Sequence, residues 1–137
     1  MVLTFQFEKS LSPILGTIHR PVARVLFYSQ PKRKWYEIWM LVDSGADYTL
    51  LPRYFSNSLG VNLKKDCWVF KTAGIGGEEK VYFLKKIQVR LGEWTRHIPV
   101  GFLDRDDIPP LLGRHLFLET FEVHFSPKHF ITFEDKQ

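Results

Sequence analysis

Leu41-Val42-Asp43-Ser44-Gly45-Ala46-Asp47 ends an apolar segment on a carboxylate, a hydroxyl and a glycine in immediate succession. A strand that stops at an aspartate holds that carboxylate in a fixed place. The glycine lets the chain turn tightly and lets other backbone come close. The hydroxyl and the nearby N–H groups can hold the carboxylate in one orientation. Asp-Ser-Gly is also ordinary turn chemistry, so its meaning depends on what surrounds it.

Working outward, Trp35 to Val42 alternates as a strand and pairs naturally with Val22 to Tyr28 across the turn Gln30-Pro31-Lys32-Arg33. Val2 to Phe7 alternates in the same way. Downstream, Arg53 to Gly60 has the spacing of one short helix. Trp68 to Thr72 and Lys80 to Leu84 flank the glycine-rich Gly74-Ile75-Gly76-Gly77. Lys86 to Leu91 and Trp94 to Val100 pair around Gly92-Glu93. Leu111 to Glu119 accommodates one or two helical turns, and Glu122 to Phe125 with Phe130 to Phe133 forms a last hairpin. Many short strands with turn signals between them predict an all-β, barrel-like or sandwich-like lobe with little helix. The 15% aromatic content suits pleated, half-buried surfaces. With 137 residues and 45% hydrophobic composition, residues 1–137 read as a single domain with its own core.

Gly74-Ile75-Gly76-Gly77 opens no helix and lacks the Lys-Ser/Thr of a phosphate loop, so it reads as a hairpin tip. Leu111-Leu112-Gly113-Arg114, taken alone, is a core strand ending in a turn. Together with Leu41 to Ala46, these segments stand in a particular order: apolar pair and Asp-Ser-Gly-Ala, glycine-rich hairpin, then apolar-apolar-Gly-Arg. In this the sequence resembles the retroviral-type aspartic proteases, the retropepsins, over roughly Val22 to Phe133. The resemblance implies a single-lobe acid-protease barrel with one or two short helices and a flap hairpin. It implies an aspartic endopeptidase with Asp43 catalytic, and Ser44, Gly45, Ala46 and Asp47 forming the active-site loop. Gly74, Ile75, Gly76 and Gly77 would form the flap, and Leu112, Gly113 and Arg114 would support the loop from beneath. It further implies that Arg114 pairs with Asp47, and that Ser44 bonds across a two-fold axis to a partner's backbone.

The chemistry of such enzymes needs two carboxylates, and this chain has one Asp-Ser-Gly. Asp47, Asp66, Asp104, Asp106, Asp107 and Asp135 are not followed by a hydroxyl and a glycine, and 137 residues leave no room for a second lobe. The expected active form is a C2 homodimer in which two copies of Asp43 meet, acting on an extended peptide or protein substrate. The sequence also departs from the viral pattern. It adds an N-terminal strand and a longer C-terminal hairpin, whereas viral dimers interleave their chain ends in one sheet. The expected flap tip also carries Glu78 and Glu79, where viral proteins place apolar residues.

Other classes find little support. A net charge of +4 is weak electrostatics for nucleic acid, and Lys32-Arg33-Lys34 reads as a solvated turn. His19, His97, His115, His124 and His129 show no metal-ligand spacing, and no metal or cofactor is expected. The lone Cys67 excludes an internal disulfide and reads as a buried, inert thiol. Neither a signal peptide nor a membrane-length apolar run is evident, so the expectation is a cytoplasmic protein that contacts no membrane. The rival reading is a binding or dimerisation module that retains the fold without hydrolysis.

Overall fold

The computed structural model describes residues 1–74 and 77–135. Its chain is mostly strand. In order it forms β1 (Val2–Gln6), β2 (Glu8–Ser12), β3 (Gly16–Arg20), β4 (Val22–Ser29), β5 (Lys34–Val42) and β6 (Thr49–Pro52). Two short helices follow, α1 (Phe55–Leu59) and α2 (Leu63–Asp66). Then come β7 (Trp68–Gly74), β8 (Gly77–Leu91), β9 (Trp94–Leu103), β10 (Leu111–Leu112), a 3₁₀ turn (Leu118–Thr120), β11 (Glu122–Phe125) and β12 (Phe130–Glu134).

The main sheet runs β4-β5-β10-β6-β9-β8-β7, and β4 pairs also with β8, which closes the sheet on itself. Its inner face is the core. Val25 and Phe27 of β4, Met40 of β5, Val89 and Leu91 of β8, and Val100 and Phe102 of β9 are buried, at alternate positions along each strand as pleating requires. Among the described residues no buried side-chain polar atom lacks a partner. A second sheet, β1-β12-β11, brings the two ends of the chain together, with Val2 opposite Glu134 and Gln6 opposite Phe130. Aromatic contacts fasten it to the body: Phe121 lies 4.8 Å from Trp94 and 5.6 Å from Phe133, ring to ring.

Four features differ from the sequence expectation. The hairpin β2–β3 carries polar residues on both faces and exposes Leu11, Ile14 and Leu15 around its turn, so no alternation announces it. Lys80–Leu84 and Lys86–Leu91 are not two strands but one, β8, with a bulge between Leu84 and Ile87. The extra residue there leaves Lys85 and Lys86 both exposed and breaks the period that sequence reading follows. The expected helical turns in Leu111 to Glu119 reduce to the 3₁₀ turn, because Leu111 and Leu112 are strand. Finally, Glu78 and Glu79 are not at the hairpin tip. They lie in β8 opposite Ala73 and Thr72. No helix among the described residues is long and apolar enough to cross a membrane.

Candidate active site

Asp43 follows directly on the last residue of β5, with Val42 buried behind it. Three backbone hydrogen bonds fix the turn. The N–H of Asp43 donates to the Leu112 carbonyl at 3.0 Å, the N–H of Ala46 to the Asp43 carbonyl at 3.1 Å, and the N–H of Val42 to the Pro21 carbonyl at 2.8 Å. The N–H of Gly45 donates to Asp43 Oδ1 at 2.9 Å, which aims the carboxylate. Glycine suits this place because a Cβ on residue 45 would sit 3.3 Å from that same oxygen. Asp43 is half-buried, Ser44, Gly45 and Asp47 are exposed, and Ala46 is half-buried.

Beneath the loop, β10 is threaded between β5 and β6. Leu111 and Leu112 run parallel to Leu41 and Val42, and Leu111 faces Leu50 antiparallel. Leu112 is fully buried. Gly113 then passes so close under the loop that a Cβ would lie 2.2 Å from the Tyr48 carbonyl oxygen, which no larger residue tolerates. Its N–H donates to the hydroxyl of the fully buried Thr49 at 3.2 Å. The next two N–H groups tie the loop from its other side, Arg114 to the Ala46 carbonyl at 3.0 Å and His115 to the Asp47 carbonyl at 2.8 Å. Arg114 also donates through Nη2 to Asp47 Oδ1 at 2.5 Å, joining residues 67 positions apart. In the single chain this ion pair is open to water, so its own contribution to stability is small.

The glycine-rich hairpin is built by β7 and β8, with Gly74 opposite Gly77 at its end. Ile75 and Gly76, the expected tip, lie outside the described residues. The outer strand exposes Trp68, Val69 and Phe70. The base is anchored by charge. Arg105 donates to Glu79 at 2.7 Å and also engages Asp107, and the N–H of Asp104 donates to the Lys80 carbonyl at 2.9 Å. The two carboxylates hold the Arg105 guanidinium still more firmly protonated than usual, while Arg105 draws the Asp107 carboxyl below its ordinary range. Tyr48 connects hairpin and loop. Its ring meets Phe83 of β8 edge-on at 5.7 Å, and burial, with Asp47 beside it, pushes its phenol above the usual range.

Sequence reading did not single out Tyr48, Thr49 or Phe83. Thr49 and Tyr48 adjoin the recognised motif, but nothing linear says that their carbonyl and hydroxyl face Gly113. The structure also sets ligand atoms of Glu122, His124 and Glu134 within 4.8 Å of one another. The pairing of β11 with β12 creates this group, which histidine spacing alone could not show; Glu122 and His124 are exposed, and such surface groups commonly hold no ion. Cys67 is buried, and burial pushes its thiol up to about 11, well away from a reactive thiolate.

The chain thus combines a carboxylate held at a strand end, an apolar-Gly strand threaded beneath it and a hairpin that sets Gly74 opposite Gly77. The aspartyl protease family model matches residues 35–116, more than half of the chain, and the chain belongs to that family. Its fold is retropepsin-like: a retropepsin-like aspartic protease from Rickettsia conorii superposes on 96% of this chain and 98% of its own, with a TM-score of 0.70 at 19% identity. No curated protein matches the sequence significantly.

Proposed function

We propose that the protein is an aspartic endopeptidase active as a C2 homodimer, in which Asp43 of two copies forms the catalytic dyad. The observation that carries this reading is the bracing of Asp43. A carboxylate aimed by the Gly45 N–H and held from below by Leu112 is pre-set for chemistry, and a plain turn does not need that support.

Two carboxylates about 3 Å apart cannot both ionise, so the dyad shares one proton. The ionised member takes a proton from a water held between them, and that water attacks the peptide carbonyl. The protonated member donates a hydrogen bond to the developing oxyanion, and the dyad then protonates the leaving amine. Ser44 braces the paired loops across the axis. Ala46 and Asp47 border the cleft, and Val42 and Leu112 form its apolar floor. The hairpin that ends with Gly74 opposite Gly77 acts as a flap that closes over an extended peptide and excludes water. The substrate is bound by strand-like hydrogen bonds, with its side chains in alternating pockets.

The test is cleavage of an unfolded protein at mildly acidic pH by the wild type and by Asp43→Asn, with and without a statine-type transition-state mimic. Activity that falls by about 10³-fold or more in the variant, and is blocked by the mimic, supports the reading. Cleavage that persists in Asp43→Asn, or no cleavage by a folded wild-type dimer, returns the protein to the binding-module class.

A further inference from the structure

The last hairpin, β11–β12, gathers ligand-type side chains on its outer face. Successive residues of a strand point to opposite faces. Val123 shares the inner face with the buried Phe133 opposite it, so Glu122 and His124 stand together on the outer one. The register sets Glu134 directly opposite Glu122, and Thr132 opposite His124. Three donor groups from two strands thereby converge, with ligand atoms all within 4.8 Å of one another. His124 Nε2 lies 3.8 Å from Glu122 Oε2. None of the three belongs to the site around Asp43.

Two features separate this group from scattered surface carboxylates. The first is register. Like charges directly opposite each other on paired strands are destabilising, and the pairing of Glu122 with Glu134 builds that repulsion into the sheet. A cation held between them removes it. The second is the imidazole. A nitrogen donor beside two carboxylates is a ligand set for zinc and its neighbours, whereas calcium and magnesium favour six or more oxygens. The base beneath is firm, because β12 is paired on both sides and Thr132 of the same face is bonded to Thr4 of β1 at 3.0 Å.

We propose that Glu122, His124 and Glu134 bind one zinc ion. Zinc holds its ligands at about 2.0–2.2 Å, so two of them at the tetrahedral angle lie roughly 3.4 Å apart. Small side-chain rotations bring the present separations to that value. Three protein ligands leave the fourth position to water. Glu122 is the first residue of β11 and Glu134 the last of β12, so the ion clasps the open end of the hairpin, away from its turn. That is where strand pairing frays first. The ion's role is structural: it fastens the end of the terminal sheet.

Zinc titration of the metal-free chain by calorimetry, together with thermal melting, tests the proposal. One zinc per chain is expected to bind and to raise Tm, and magnesium or calcium at the same concentration to do neither. Losing a group that merely supports a metal ligand costs about 10- to 100-fold in affinity. His124→Ala and Glu134→Gln remove ligands outright, so each should weaken zinc binding by at least about 10-fold. A readout on the wild type avoids any effect of these variants on folding: zinc should shift the NMR resonances of the His124 ring and leave those of His97, an exposed histidine of β9, in place. Binding unchanged in both variants, magnesium bound as well as zinc, or a shift at His97 without one at His124 overturns the proposal. Asp43→Asn should bind zinc as the wild type does, so the metal site and the protease reading stand or fall separately.

Discussion

The loop that carries Asp43 and the hairpin β7–β8 sit at opposite extremes of the same fold. The loop is short, is bonded through backbone to Leu112 on one side and to Arg114 and His115 on the other, and rests on Leu112, Gly113 and Thr49, all buried. The hairpin leaves Trp68, Val69 and Phe70 exposed, and is held at its base by two sheet ladders and the ion pairs of Arg105. Local opening costs least where few buried contacts must break. On the proposed reading, rigidity falls to the loop that carries Asp43 and compliance to the hairpin proposed as its flap.

The largest effect is expected at Gly113. A Cβ there would overlap the Tyr48 backbone, and neither segment can yield without breaking the loop. Gly113→Ala should cost at least about 3 kcal/mol and lower Tm by roughly 10 °C or more, read by thermal unfolding. A variant that melts like the wild type would mean that β10 is not packed under the loop. Leu112→Ala leaves the backbone route intact but empties a fully buried site, and should cost about 2–5 kcal/mol.

The hairpin should respond in kinetics more than in stability. Arg105→Ala releases Glu79 and Asp107 at the base, and both ion pairs reach solvent, so stability should change by less than about 1 kcal/mol. KM should rise severalfold with kcat little changed. Arg24→Ala breaks an equally exposed pair with Glu37 on the β4–β5 hairpin and should leave KM where it was. Equal effects of the two would dissolve the contrast between loop and flap.

The smallest effect concerns pH. His19 of β3 stacks on His129 at 3.7 Å, which ties the β2–β3 hairpin to the turn between β11 and β12. Partial burial, and then the charges of His129 and Lys9, lower its pKa from the usual value. The folded state thus binds the proton less readily than the unfolded one. The contribution is present above the ordinary histidine value of about 6.5 and is lost as pH falls through it and through the lowered folded value. Melting curves between neutral and mildly acidic pH should show a modest loss of stability that His19→Gln reduces; an unchanged slope in that variant would place the loss elsewhere.

The loop that carries Asp43 was legible in sequence because its demands are written in residue identity. Gly113 has no room for a Cβ, and Arg114 and Asp47 carry opposite charge and pair. Each is a single-letter signal that survives without knowledge of the fold. The body of the lobe was legible where strands alternate, as in β4 and β5. What stayed hidden depends on pairing. β10 is only two residues long, and its strand character comes from lying between β5 and β6. Tyr48 and Phe83 meet across 35 positions. The union of β1 with β12 joins the first strand to the last, which no local pattern announces. The bulge in β8 concealed a fifteen-residue strand by placing two lysines where alternation would continue.

One titration tests the shared-dyad claim most directly. Wild type is mixed at constant total concentration with increasing Asp43→Asn, allowed to exchange subunits, and assayed on a peptide. If each active site draws one Asp43 from each of two copies, mixed dimers are silent and activity falls as the square of the wild-type fraction. A fall in direct proportion to that fraction would show that one chain suffices, and would contradict the account.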